Sequence, residues 1–204
     1  MKPELYDAAL KIHEKLKKFS NITFEELLLV KDIMNIVFLK EGEMFLSPGE
    51  SSQKIGILIK GLAKTYYLLE NGKEHISHFG AEGAFLGAYT DMLKKIPSTG
   101  YIQCLEPCMI LVMDYQDLLD VTKNSLSWAH LLRKIAEDRY IYRSDKDRNI
   151  TMKTAAEKYQ YFIETHPDLE NRLHQNQIAL YLNLNAATLS RLKNRSGKYK
   201  NIEK

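Results

Sequence analysis

The spacing of apolar residues changes period twice along this 204-residue chain. Over residues 2–19, Leu5, Ala9, Ile12, Leu16 and Phe19 fall on one stripe with lysines opposite, which predicts an amphipathic helix. Thr23 and Glu26 form a capping-box pattern that opens a second helix over 23–31. Between residues 35 and 114 the pattern becomes short β-rich runs: 36–40, 44–45, 56–60, 63–69, 75–79, 83–85, 100–105 and 109–113. Turn residues separate them, and Asn71-Gly72 between two such runs marks a hairpin. Short strands at this regular spacing predict a β-sandwich or jelly-roll barrel.

Helical spacing returns after residue 114. A short helix is expected over 114–119 and a long one over 125–148, where Trp128, Leu131, Leu132, Ile135, Ala136 and Tyr142 mark an apolar stripe. A stripe of this length suits a seam between two copies of the chain, as in a coiled coil. A further helix over 151–164 turns Ala155, Tyr159, Phe162 and Ile163 inward and stops at His166-Pro167. Cys104 and Cys108 are too few for a disulfide framework. On a single strand they would share a face, too far apart to bond, so both are expected to be reduced thiols.

Residues 172–195 hold the most specific pattern. Ile178, Ala179 and Leu182 form the buried face of one short helix, with Ala179 small enough for a second helix to cross it. Asn183 stands where a tight turn needs positive φ. Leu184 plugs the corner and Asn185 caps the next helix. That helix buries Leu189 and Leu192 and ends at Ser196-Gly197-Lys198. It leaves Ala186, Ala187, Thr188, Ser190, Arg191, Lys193, Asn194 and Arg195 outward. Small and polar residues followed by cations suit a helix entering a DNA major groove. The expected interface is therefore Gln175, Asn185, Ala187, Thr188, Ser190, Arg191, Lys193, Asn194 and Arg195. Arg191 is expected to contact a base or a phosphate, while Lys193 and Arg195 are expected to neutralise phosphates.

Charge agrees with this placement. The formal net charge is only +3, but residues 150–204 carry nine Lys/Arg against five Asp/Glu, and residues 1–149 carry twenty against twenty-one. No apolar run reaches the ~18–20 residues of a membrane span. The charged first nineteen residues lack the apolar core of a secretory signal, so a cytoplasmic location is expected. The organisation reads as an α+β chain: an effector barrel over 1–124, a long connecting helix over 125–149, and a helix-turn-helix domain over 150–204.

This order resembles the Crp/Fnr family of bacterial transcription regulators. The resemblance rests on Ile178-Ala179-Leu180-Tyr181-Leu182-Asn183-Leu184, on Thr188-Leu189-Ser190-Arg191-Leu192-Lys193, on Asn71-Gly72-Lys73-Glu74 and on Glu82-Gly83-Ala84-Phe85-Leu86-Gly87, with residues 98–106 as the strand that follows a phosphate loop. It implies a cyclic-nucleotide-binding-type barrel, a homodimer joined through Trp128, Leu131, Leu132, Ile135 and Tyr142, and double-stranded DNA as partner. It admits RNA polymerase as a further one. The two recognition helices would enter successive major grooves about 34 Å apart. The implied effector pocket is Gly87, Ala88, Tyr89, Ser98 and Thr99, with Arg143 considered as a cation from the long helix.

Two departures matter. The cyclic-AMP members hold the ribose with a Glu after the loop Gly and the phosphate with an Arg followed by Ser or Thr; here Ala88 and Ser98-Thr99 occupy those positions. Charge-assisted Arg–phosphate bonds are the strong ones, so cyclic AMP is not expected as effector and no cofactor is assigned. The wing that usually closes such a domain is expected to be reduced or missing.

His75 and His78 fall on opposite faces of a strand, so no metal site is expected. Two cysteines do not supply the four ligands of an iron–sulfur cluster. No Walker loop or nucleophile elbow points to an enzyme. The alternative reading is a small-molecule barrel, sensor or cupin-like enzyme, whose helical tail docks another protein.

Overall fold

The structure, a computed structural model, describes the backbone of residues 3–200 and the side chains of residues 3–194. It divides into two compact units, Met1–Tyr67 with Ser77–Asp138, and Leu68–Ile76 with Arg139–Lys204.

The first unit opens with α1 (Pro3–Leu16), α2 (Phe24–Leu27) and a 3-10 turn (Leu28–Val30). Thr23 caps α2 through the expected box with Glu26. Eight strands follow: β1 (Asn35–Leu39), β2 (Met44–Leu46), β3 (Lys54–Lys60), β4 (Ala63–Leu68), β5 (Glu74–Gly80), β6 (Phe85–Leu86), β7 (Tyr101–Cys104) and β8 (Cys108–Asp114). They form two four-stranded sheets, β1-β8-β3-β6 and β2-β7-β4-β5. Both neighbours of β8 run antiparallel to it, with Ile36 opposite Leu111 and Ile57 opposite the same residue.

Alternation explains why β3 and β8 are apolar on both faces. Ile57, Leu111 and Met113 join a cluster with Ala9, Ile12, Leu16, Leu27, Trp128, Leu131 and Ile135. Leu58, Ile110 and Val112 turn the other way, towards Phe45, Leu46, Ile102 and Leu86 between the sheets. Successive side chains point to opposite faces, so one sheet serves two cores. Gly56 permits the close approach: a Cβ there would lie 2.7 Å from Ile110 Cγ2 and 3.0 Å from the Phe45 ring.

Between β6 and β7 lies the six-residue helix α3 (Tyr89–Lys94). After β8 come α4 (Tyr115–Thr122), capped by Asp114, and α5 (Leu126–Met152). The second unit holds the rest of α5, then α6 (Ala155–Thr165), α7 (Gln175–Tyr181) and α8 (Ala186–Lys200).

Three expectations are corrected. The cysteines do not share a strand: Cys104 ends β7 and Cys108 begins β8, and a three-residue turn brings the two buried thiols into hydrogen-bonding range. That bond, and then burial, pushes the Cys104 thiol up. α6 starts at Ala155 because the Thr154 hydroxyl, in a capping box with Glu157, opens it. Finally, α8 does not stop at Ser196-Gly197-Lys198 but runs to Lys200. A Gly inside a helix costs only about 1 kcal/mol and is a weaker stop than Pro. Part of the segment considered for a reduced wing, residues 201–204, lies outside the described residues. Among the described residues no helix is long and apolar enough to cross a membrane.

Candidate nucleic-acid interface

The second unit is organised around Tyr181. Its ring is fully buried, edge-on to Phe162 at 5.7 Å and to His166 at 5.6 Å. Its hydroxyl hydrogen-bonds the Tyr142 hydroxyl at 2.8 Å. The Lys146 ammonium lies 4.0 Å from the ring centroid and donates to the Ile76 carbonyl at 3.1 Å. Burial pushes both phenols up, Tyr142 to about 12. Burial also holds Lys146 down at about 7, with Arg143 adding and Asp147 opposing, and holds His166 down at about 4. A buried ammonium is tolerable only with such partners, an aromatic face and a carbonyl. His75 is likewise lowered by burial and by Lys146, against a hydrogen bond with Asn183.

On this base the turn is built as its residues require. Ile178, Ala179 and Leu182 are buried. Asn183 has φ +52, and the Leu184 amide donates back to the Ala179 carbonyl at 2.9 Å. Asn185 Oδ1 then accepts from the Thr188 amide at 2.7 Å and caps α8. Leu189 is fully buried and Leu192 half-buried, which fixes the rotation of α8.

That rotation leaves Asn185, Ala186, Ala187, Arg191 and Asn194 exposed, with Thr188, Ser190 and Gln175 half-buried at the edge. Arg191 Nε donates to the Ala187 carbonyl at 3.3 Å, steadying the stem of a guanidinium that faces water. Lys193 is half-buried beside this face. Its ammonium pairs with Glu170 at 3.1 Å, and the Tyr159 hydroxyl donates to the same carboxylate. This pair ties α8 to the segment after α6. The Arg195 side chain lies outside the described residues.

In the first unit the loop around α3 gathers the expected pocket residues. Gly87 and Ala88 are half-buried, and Tyr89 is exposed with its ring edge-on to Tyr115 at 6.1 Å. Ser98 is buried and donates to the Gly100 carbonyl at 2.8 Å. Thr99 donates twice to Asp91 Oδ2, from its amide at 2.7 Å and its hydroxyl at 2.9 Å. Among the described residues no three His, Cys, Asp or Glu side chains converge as a metal site.

Residues 36–125 match the cyclic nucleotide-binding domain family. The fold is similar to FixK2 from Bradyrhizobium japonicum, with a TM-score of 0.72 at 16% identity over 82% of this chain and 86% of that one. It is similar to a mutant CooA from Carboxydothermus hydrogenoformans, at 0.69 and 16% over 89% and 87%. It is also similar to CLP, a c-di-GMP-responsive global regulator from Xanthomonas campestris, at 0.66 and 13% over 86% and 91%. The barrel matches the cyclic nucleotide-binding domain model, and the chain shares the fold of these Crp/Fnr-type structures. A search of curated proteins finds no relative by sequence.

Two groups of residues expected to serve the Crp/Fnr architecture are placed otherwise. Trp128, Leu131 and Ile135 do not form an outward seam: they are buried in the first unit's own core, Leu132 packs against it, and Trp128 Nε1 donates to the Glu26 carbonyl at 2.8 Å. Tyr142 is engaged with Tyr181. The stripe is the inward face of α5, and the large apolar residues it leaves to water are Leu126, Tyr140, Ile141 and Met152. Arg143 is exposed and donates to Asp147 at 3.2 Å, a pair on one helix face.

Sequence reading missed Asp91, Lys146 and Glu170. Charged residues read by period alone are assigned to solvent. The signal that could have found Asp91 is its place eight residues before Thr99 in a loop with few other charges.

Proposed function

We propose that this protein is a sequence-specific DNA-binding transcription regulator of the Crp/Fnr type, acting as a homodimer in the cytoplasm and not as an enzyme. The observation that carries the reading is the outward face of α8: Arg191 and Asn194 stand exposed on a helix rotated by the fully buried Leu189. A tail built to dock another protein would turn large apolar residues outward there, and this one turns Asn185, Arg191 and Asn194, with Ser190 half-buried at the edge.

In this reading α8 enters the major groove with Ala187, Thr188 and Ser190 near base edges, Asn185 and Gln175 near the backbone, and Arg191 bidentate to a guanine. Asn194 and Arg195 reach phosphates, while Lys193 acts by bracing. The dimer face is the side of α5 that carries Tyr140 and Ile141. The effector of the barrel is not cyclic AMP, since Ala88 offers no acceptor to a ribose hydroxyl and Ser98 no charge to a phosphate.

The test is equilibrium binding to a duplex selected from a random pool. Arg191→Ala should weaken binding by about 1–3 kcal/mol, roughly 5–150-fold, and relax the preference at one base pair per half-site. Unchanged affinity and unchanged preference would remove Arg191 from the interface.

A further inference from the structure

We propose that Asp91 is a built-in anion that closes the barrel's α3 loop to phosphate-bearing ligands, so that this side chain sets the specificity of the cyclic nucleotide-binding domain. A phosphate inside a protein needs N–H and O–H donors or a cation to replace its water. The loop from Gly87 to Gly100 has such donors, and they are engaged. The amide and hydroxyl of Thr99 both donate to Asp91 Oδ2, at 2.7 and 2.9 Å. The Ser98 hydroxyl donates to the Gly100 carbonyl at 2.8 Å, and the neighbouring Ser52 hydroxyl to the Ile96 carbonyl at 2.7 Å.

Cations do not offset the carboxylate within the loop. Its two lysines, Lys94 and Lys95, are exposed, whereas Asp91 is buried at 8% exposure. The backbone holds this arrangement in place. The Ile96 amide donates to the Asp91 carbonyl at 3.0 Å, the Ser98 amide to the Glu50 carbonyl at 2.9 Å, and the Gly49 amide to the Ser98 carbonyl at 2.9 Å. An incoming phosphate would have to displace a carboxylate from two converging donors and then sit beside that carboxylate's charge. Two donors aimed at one oxygen are what a phosphate oxygen would seek. Here the chain supplies the oxygen itself. The barrel thus keeps the fold of a nucleotide sensor while presenting a negative group where that sensor would need a positive one.

The test uses the full chain with cyclic AMP and inorganic phosphate as probes, read by thermal shift and by the exchange rate of the Thr99 amide. In the unsubstituted protein neither probe at millimolar concentration should raise the melting temperature or slow Thr99 exchange. Asp91→Ala should speed Thr99 exchange by about tenfold or more, as a freed amide does. In that variant cyclic AMP or phosphate should slow it again and raise the melting temperature. Asp91→Asn keeps an acceptor for Thr99 while removing the charge. It should gain the same response more weakly, and it serves if the alanine variant does not fold. A response of the unsubstituted protein at Thr99 overturns the proposal. So does a folded variant that gains no response to either probe. Both readouts are on the barrel and are independent of DNA binding.

Discussion

At Tyr181 a phenol, a second phenol, an ammonium and two aromatic rings are packed beneath the turn that aims α8. The pH dependence of the second unit follows from this centre. Folding holds Lys146 at about 7 against an ordinary 10.5, and His166 at about 4 against 6.5. In both cases the unfolded chain binds a proton that the folded unit refuses, so stability falls as pH falls. The Lys146 contribution is lost between about pH 10 and 7, and the His166 contribution between about 6.5 and 4. Melting temperature against pH should show both declines, and Lys146→Met should flatten the upper one alone. A flat profile above pH 7 in the unsubstituted protein would contradict the burial of the ammonium. Leu189→Ala should cost about 2–5 kcal/mol by opening a cavity under α8, seen as an earlier urea midpoint. Residues with a backbone role were legible in the sequence, as with Asn183 at φ +52 and the Asn185 cap. Lys146 was not, because a lysine buried by its tertiary partners looks in sequence like any solvated one.

The strands were legible because alternation and turn residues report them directly. That β3 and β8 bury both faces was not read from the sequence, because a short apolar run does not say what covers each side. Helix ends were less legible. Thr151 and Thr154 are both plausible caps, and the Glu157 side chain that selects Thr154 acts only once the helix exists. α5 teaches the sharper lesson. Its stripe at Trp128, Leu131 and Ile135 has the period of a seam, and period alone does not say whether another chain or the same chain covers it. The core with Ile12, Leu27 and Leu111 covers it here. The proposed pairing of two copies is therefore assigned to the opposite side of the helix. Ile141→Asp, at a residue 58% exposed, should leave the chain folded, with an unchanged far-UV circular dichroism spectrum, while the melting temperature falls by whatever association contributed. It should halve the mass measured by sedimentation. A mass that stays the same would move the dimer face elsewhere.

For the whole molecule, the barrel, the long helix and the paired α7–α8 motif match regulators of 13–16% identity over more than four-fifths of the chain. That likeness fixes architecture, and the residues must carry the function. With a net charge of only +3, the proposed attraction to DNA is assigned to the basic residues 150–204 and not to the chain as a whole. Binding should accordingly weaken with salt by the number of phosphates actually neutralised, with a slope of about −0.9 per phosphate on a log–log plot. The most direct measurement is selection of duplexes from a random pool followed by sequencing. A symmetric reader that lays α8 in successive major grooves should enrich an inverted repeat with half-site centres about 10 base pairs apart, and Arg191→Ala should enrich a repeat relaxed at one base pair per half-site. Recovery of no motif, or of the same motif by the Arg191→Ala protein, would contradict the account.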